Sequence, residues 1–278
     1  MTEPLSIPQE EIRRLGIVAG QGDFPILMAR AARGAGVEVV VIGIRGMANP
    51  GLEAIANEMH WVELGQVQHT IELLRAANVR HVALVGKVPH LSILQYRHFD
   101  LRAMKLLARA VNRKADTLLQ TITDELAQEG IQVVDSSLFL RGLMPEAGLL
   151  TPRRPPSERE TQDIEFGYPI AKAIAGQDVG QTIVVKEKMV VAVEAAEGTD
   201  ECIRRAASLA GAGCVVVKVS KPNQDFRFDI PVIGRQTIAT MAECGCSALA
   251  VSAKECLIFD KDEVLREAER QNIAIIAR

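Results

Sequence analysis

Residues 15–25, Leu15-Gly16-Ile17-Val18-Ala19-Gly20-Gln21-Gly22-Asp23-Phe24-Pro25, decide how the fold is read. An apolar run ends in a glycine turn. A helical pattern follows from Ile26 to Gly36, then a second apolar run from Val37 to Ile44. Strand, glycine turn, helix and strand make a βαβ unit. Near-continuous apolar runs are what parallel strands show when both faces are covered. The pattern continues with a short helix near Leu52 to Met59, a strand at His60–Leu64 and a helix from about Gln66 to Ala77. A strand from Val79 to Val85 then ends at Gly86-Lys87-Val88. Helices at about Leu101–Val111 and Thr117–Glu129, with Ile131–Asp135 as a last strand, complete the set. This predicts a Rossmann-like, doubly wound α/β domain over residues 1–145.

The turn at Gly20 and Gly22 is a weak dinucleotide signal. The third glycine of the fingerprint is missing, Pro25 stands where the helix begins, and the second strand ends at Ile44-Arg45 with no acid for a ribose hydroxyl. Arg45 leaves NADP formally open. Two other readings stand side by side. Backbone N–H groups of the turn meet a phosphate or sugar at a helix N-terminus, or the turn needs glycine backbone angles and nothing more.

Composition shifts in Leu149-Leu150-Thr151-Pro152-Arg153-Arg154-Pro155-Pro156, where three prolines fall within five residues. Such a stretch reads as a stiff connection, so residues 146–158 are expected to be a linker and 159–278 a second domain. Beyond a helix reaching about Ala175, Gln181–Lys186 and Met189–Glu194 read as a β-hairpin. Thr199 reads as the N-cap of the next helix, followed by Asp200 and Glu201. Further strands and helices alternate to Ile276, which predicts a mixed α+β domain.

Within it lies Lys218-Val219-Ser220-Lys221-Pro222-Asn223-Gln224-Asp225-Phe226-Arg227-Phe228-Asp229-Ile230-Pro231. If 225–229 is extended, Asp225, Arg227 and Asp229 share one face and Phe226 and Phe228 anchor the other. Lysines, an arginine and carboxylates beside such an anchor suit a phosphate and a hard divalent metal. A charged, solvated edge strand is the plainer alternative.

The totals bound the function. At 278 residues, 48% hydrophobic and 24% charged, the chain is globular. A net charge of −3 argues against a general nucleic-acid binder. No apolar run approaches the roughly 20 residues that span a bilayer, and the first residues show no signal peptide, so a cytoplasmic location is expected. Five scattered cysteines (Cys202, Cys214, Cys244, Cys246, Cys256) read as reduced packing residues, and neither they nor the five histidines stand at metal-ligand spacing.

Several stretches together resemble the LpxI-type UDP-2,3-diacylglucosamine pyrophosphatases of lipid A synthesis. In the first half they are residues 15–25, Gly86-Lys87-Val88 and Asp116-Thr117-Leu118-Leu119. In the second they are Asp178-Val179-Gly180-Gln181, Ala192-Val193-Glu194-Ala195-Ala196-Glu197-Gly198-Thr199-Asp200, and the spaced set Lys218, Lys221, Pro222, Gln224, Arg227, Asp229, Pro231, Ile233 and Gly234. The last two are the specific ones.

The resemblance implies a Rossmann-like domain joined to a family-specific one, with the substrate in the chamber they form. It implies Mg²⁺-dependent hydrolysis of UDP-2,3-diacylglucosamine to UMP and 2,3-diacylglucosamine 1-phosphate. The family's essential aspartate falls on Asp229, as metal ligand or as general base; Asp225 sits where members vary. Lys218, Lys221 and Arg227 suit phosphate oxygens, and Gly20, Gly22, Gly86, Lys87, Thr199 and Gln224 are further substrate-binding candidates. Asp200 would oppose an anion at its helix start unless it too meets the metal. A lipid substrate implies peripheral contact with the inner face of the cytoplasmic membrane, although no basic amphipathic helix is evident to mark the surface. A homodimer is left open.

Two rivals remain at this point. One is an NADP-linked oxidoreductase built on the first domain, in which Arg45 matters more than Asp229. The other is a nucleotide- or lipid-binding protein without hydrolase activity. A calcineurin-like phosphoesterase is disfavoured, because no Asp-x-His or Gly-Asn-His-Asp set is present.

Overall fold

A computed structural model describes residues 9–88, 99–109, 115–228 and 230–278. The chain divides into two compact units. Unit 1 comprises Met1–Leu140 with Asp225–Asp229, and unit 2 comprises Arg141–Gln224 with Ile230–Arg278.

Unit 1 alternates strands with helices: β1 (Arg14–Ala19), α1 (Phe24–Gly34), β2 (Glu38–Ile44), β3 (Glu58–Val62), α2 (Val67–Ala76), β4 (His81–Val85), α3 (Leu101–Arg109), α4 (Ala115–Gln128) and β5 (Gln132–Val133). The five strands form one parallel sheet in the order β3-β2-β1-β4-β5. That is the doubly wound order expected from the apolar runs, with its topological switch point where β1 meets β4. Val40, Ile42 and Val82 bury one face of the sheet against Ile71 and Leu74 of α2 and Leu126 of α4. Val39 and Val41, which alternate with them, are also fully buried, so β2 is covered on both sides.

Unit 2 contains β6 (Gly148–Leu149), α5 (Glu158–Gly176), β7 (Thr182–Lys186), β8 (Met189–Val193), α6 (Thr199–Ala210), β9 (Val215–Lys218), β10 (Val232–Ile233), α7 (Arg235–Glu243), β11 (Ala248–Val251), β12 (Leu257–Ile258), α8 (Lys261–Arg270) and β13 (Ala274–Ala277). Its main sheet is mixed, in the order β6-β13-β11-β9-β7-β8. Strands β13, β11 and β9 run parallel, while β7 is antiparallel to both neighbours. Strand alternation sorts the core. Val184, Val216, Leu249 and Ile275 meet α6, α7 and α8. Ile183, Val185, Val215, Val217, Ala248 and Ala250 meet Ile164, Ala171 and Ala175 of α5. Helix α5 lies close because Gly167 faces the sheet: a Cβ there would stand 2.8 Å from Val185 and 3.1 Å from Val217. Its start is fixed by a capping box of Ser157 and Glu160.

Two expectations are corrected. Residues 146–158 are built into unit 2 and do not form a linker. Leu149 of β6 pairs with Ile276 of β13, Thr151 is fully buried and its hydroxyl accepts from Ile275 N at 2.8 Å, and Arg154 binds Glu160 and the carbonyl of Asn272. The prolines stiffen a segment that side-chain bonds hold in place. The segment from Asp225 to Phe228 is a turn, with Phe228 N donating to Asp225 O at 3.0 Å, so its side chains do not alternate as a strand would place them.

Candidate functional site

Parallel strands in α/β sheets present their functional loops at their carboxyl ends. In unit 2 that edge carries the 194–199 loop after β8, Lys218–Lys221 after β9 and Ser252–Glu255 after β11. Lys218 is only 7% exposed, and its Nζ donates to Thr199 Oγ1 at 2.6 Å. The Thr199 hydroxyl donates in turn to Glu194 Oε1 at 3.0 Å, with Thr182 Oγ1 3.4 Å away. Thr199 is therefore not the N-cap. Gly198, at φ +87°, turns the chain into the helix without a side-chain cap, and the Thr199 hydroxyl is taken by Lys218 and Glu194. An ammonium has three donors. The bond to Thr199 uses one, and among the described residues no carboxylate lies within ion-pair distance of Lys218. A buried cation in that position favours an anionic partner.

Asp200 follows Thr199. Burial pushes its carboxyl above the usual range, against the pull of Arg204 and Lys218. It accepts no hydrogen bond among the described residues.

Beyond Lys218 the chain is clamped. Ser220, fully buried, donates from Oγ to the Glu255 carboxylate and accepts from Lys172 Nζ of α5 at 2.7 Å; Lys172 also reaches Glu255 at 3.1 Å. Ser220 N donates to Ser252 Oγ at 3.2 Å. Lys221 Nζ pairs with Asp178 Oδ1 at 2.7 Å, and its N–H donates to Gln224 Oε1 at 3.1 Å. Lys218, Lys221 and Gln224 thus sit on one braced loop of unit 2.

In unit 1 the glycine turn and the loop after β4 are joined by backbone. Gly20 N donates to Val85 O at 2.9 Å, and Gln21 and Lys87 exchange N–H···O bonds of 2.9 and 3.0 Å. A Cβ on Gly20 would stand 2.8 Å from Lys87 O. One on Gly86, at φ +94°, would stand 2.8 Å from Gly20 C. Gly20 and Gly86 let two loops touch. Gly22, at φ +93°, has open space around it, and Lys87 is exposed.

Unit 1 also holds the segment that returns to it. Phe228 is 5% exposed in the core with Val40, Ile42 and Leu74, and Ser136 donates from both N and Oγ to Phe226 O at 2.9 Å. Arg227 grips Asp225 with Nε at 3.0 Å and Nη2 at 2.6 Å, donates to Gln120 Oε1 at 2.9 Å and lies 5.1 Å from the Phe228 ring centroid. Burial alone would raise the Asp225 carboxyl, but Arg227 holds it below the usual range. Asp229 lies outside the described residues.

A hard cation such as Mg²⁺ needs oxygen donors. Among the described residues no group of three or more His, Cys, Asp or Glu stands together. Asp200 has fitting chemistry, a half-buried carboxylate whose charge a cation would stabilise, but alone it is an incomplete set. The cysteines are free; burial pushes the thiols of Cys202, Cys246 and Cys256 up to about 12, which suits core side chains and not ligands.

Glu194, Thr182 and Asp178 show no local sequence sign of their partners, Thr199 for the first two and Lys221 for the third, which only the fold brings to them. Lys172 and Glu255 gave no signal at all, because they lie 48 and 35 residues from the serine they bind.

The family model described as the LpxI N-terminal domain matches residues 14–143, and that described as the LpxI C-terminal domain matches residues 146–276. A UDP-2,3-diacylglucosamine pyrophosphatase LpxI from Caulobacter vibrioides is 30% identical over 276 residues, 95% of this chain and 97% of that protein. Among solved structures, the biotin carboxylase domain of a thermophilic 2-oxoglutarate carboxylase is 10% identical with a TM-score of 0.28, covering 71% of this chain and 33% of that one. The biotin carboxylase subunit of pyruvate carboxylase is 12% identical with a TM-score of 0.29, covering 72% and 42%. This chain spans less than half of either.

Proposed function

Because the chain belongs to the LpxI family, we propose that it hydrolyses UDP-2,3-diacylglucosamine to UMP and 2,3-diacylglucosamine 1-phosphate, a step of lipid A synthesis. The observation that carries this reading is the match of both family domains along the chain together with the full-length relative.

Water adds to one phosphorus of the diphosphate and the bridging P–O bond breaks. Both phosphates are anionic before attack, so the residues nearest them must be cationic or donate hydrogen bonds. Lys218 is supported in that role by its burial and by the bond to Thr199, the one its ammonium makes among the described residues. Lys221 and Gln224 are presented from the same braced loop. Arg227 adds a nearby positive charge for the phosphates, while its Nε and Nη2 are engaged with Asp225 and Gln120. Glu194 orients the Thr199 hydroxyl and so fixes where the Lys218 ammonium points. Asp229 and Asp200 are the residues proposed to hold Mg²⁺, which when bound neutralises diphosphate charge and lowers the pKa of a water. Asp229 could serve instead as the base that takes the proton of that water.

No helix among the described residues is long and apolar enough to cross a membrane. The lipid substrate places the protein in peripheral contact with the inner face of the cytoplasmic membrane.

The test supplies UDP-2,3-diacylglucosamine with Mg²⁺ and follows UMP, with EDTA and Asp229→Ala as controls. UMP release that both controls reduce at least about tenfold, some 1.4 kcal/mol of barrier, supports the reading. Binding without UMP makes the chain a lipid-nucleotide carrier. A nicotinamide absorbance change on turnover makes it an oxidoreductase.

A further inference from the structure

Helix α3 of unit 1 is fastened on one side and unusual on the other. Asp100 caps it, accepting from Ala103 N at 2.8 Å and from Gln68 N at 2.7 Å. Ala103 and Leu106 are buried, and Arg102 turns inward to Glu125 at 2.7 Å and to Glu129. The opposite face consists of Leu101, Met104, Lys105, Ala108 and Arg109, spaced i, i+3, i+4, i+7 and i+8, all exposed; Arg109 reaches from its edge to Glu125 at 3.4 Å, and the Lys105 ammonium makes no ion pair among the described residues. Leu101 is 79% exposed and Met104 58%, at positions where a helix ordinarily carries polar residues. The nine residues of α3 contain three basic side chains and no acidic one, in a chain whose formal net charge is −3.

We infer that this face of α3 is the surface by which the protein rests on an anionic lipid bilayer, with Leu101 and Met104 entering the headgroup boundary and Lys105 and Arg109 meeting lipid phosphates. The inference rests on the peripheral-contact part of the proposed function and locates it. Amphipathic helices bind interfaces by burying apolar side chains beside basic ones, and each Lys or Arg near an anionic leaflet adds to the attraction. Charge decides between a bilayer and a second copy of the chain. A two-fold self-contact through this face would crowd Lys105 and Arg109 against their own copies, and like-charge juxtaposition is costly. An anionic leaflet neutralises them. From sequence the same helix looks ordinary, because only the fold separates Leu101 and Met104 from Leu106.

The test is sedimentation of the full-length protein with sucrose-loaded vesicles of phosphatidylethanolamine and phosphatidylglycerol, or of phosphatidylcholine alone. The wild type is expected to bind the anionic vesicles and to be released by salt. Leu101→Ser/Met104→Ser and, separately, Lys105→Glu are expected to weaken binding at least about fivefold, with unchanged circular dichroism and unchanged turnover of a short-chain, water-soluble substrate. If the wild type binds and both variants bind equally well, the assignment to α3 fails while peripheral contact stands. If the wild type binds neither vesicle, both fail. A wild-type dimer in light scattering that the double variant dissociates would make the face a self-interface and overturn the proposal.

Discussion

The carboxyl edges of the two sheets are built differently. In unit 1 the loops after β1 and β4 are zipped by main chain, and glycines at 20 and 86 are there so that backbones can touch. In unit 2 the equivalent edge is made of side chains: Lys218, Thr199 and Glu194 in one chain of hydrogen bonds, Lys172, Ser220 and Glu255 in another. The difference teaches where binding can be expected. Backbone N–H groups already engaged with a neighbouring loop offer little to a phosphate, whereas a buried ammonium with donors to spare offers much.

The contrast can be broken at either edge. Gly86→Ala must place a Cβ against Gly20 at a φ that side chains rarely adopt, so we expect about 2 kcal/mol of lost stability by denaturant titration and little change in KM. A rise in KM without loss of stability would bring the turn back against the substrate. A smaller effect is expected at the return segment. The Asp225 carboxyl is held low in the folded state by Arg227, so its contribution is present above its ordinary value near 3.8 and is lost as pH falls through the depressed one. Wild type and Asp225→Asn should differ by less than about 1 kcal/mol at neutral pH and converge in acid. A difference that persists in acid would mean that Asp225 acts by packing and not by charge.

What could be read from sequence follows from how local each signal is. The strands of unit 1 were legible because Val39-Val40-Val41-Ile42 is apolar on both faces, and a parallel sheet needs that. The hairpin β7–β8 was legible from two apolar runs parted by Glu187 and Lys188, although both take the positive φ that Gly and Asn adopt more readily. The proline-rich stretch misled because prolines signal stiffness, while the bonds that dock it, Thr151 to Ile275 and Arg154 to Asn272, reach residues more than a hundred positions away. The alternation in 225–228 misled because Phe228 reaches the core from a turn, which alternation alone does not distinguish from a strand. Lys218 and Thr199 lie 19 residues apart in sequence, and only the fold joins them at 2.6 Å.

The account turns on Lys218, and kcat/KM of Lys218→Met for UMP release tests it most directly. Methionine keeps the buried stem and removes the ammonium. We expect a loss of at least about a hundredfold, in line with removal of one preorganised electrostatic donor, with the far-ultraviolet circular dichroism unchanged. A folded Lys218→Met variant with kcat/KM within about threefold of wild type, less than 1 kcal/mol, would contradict it.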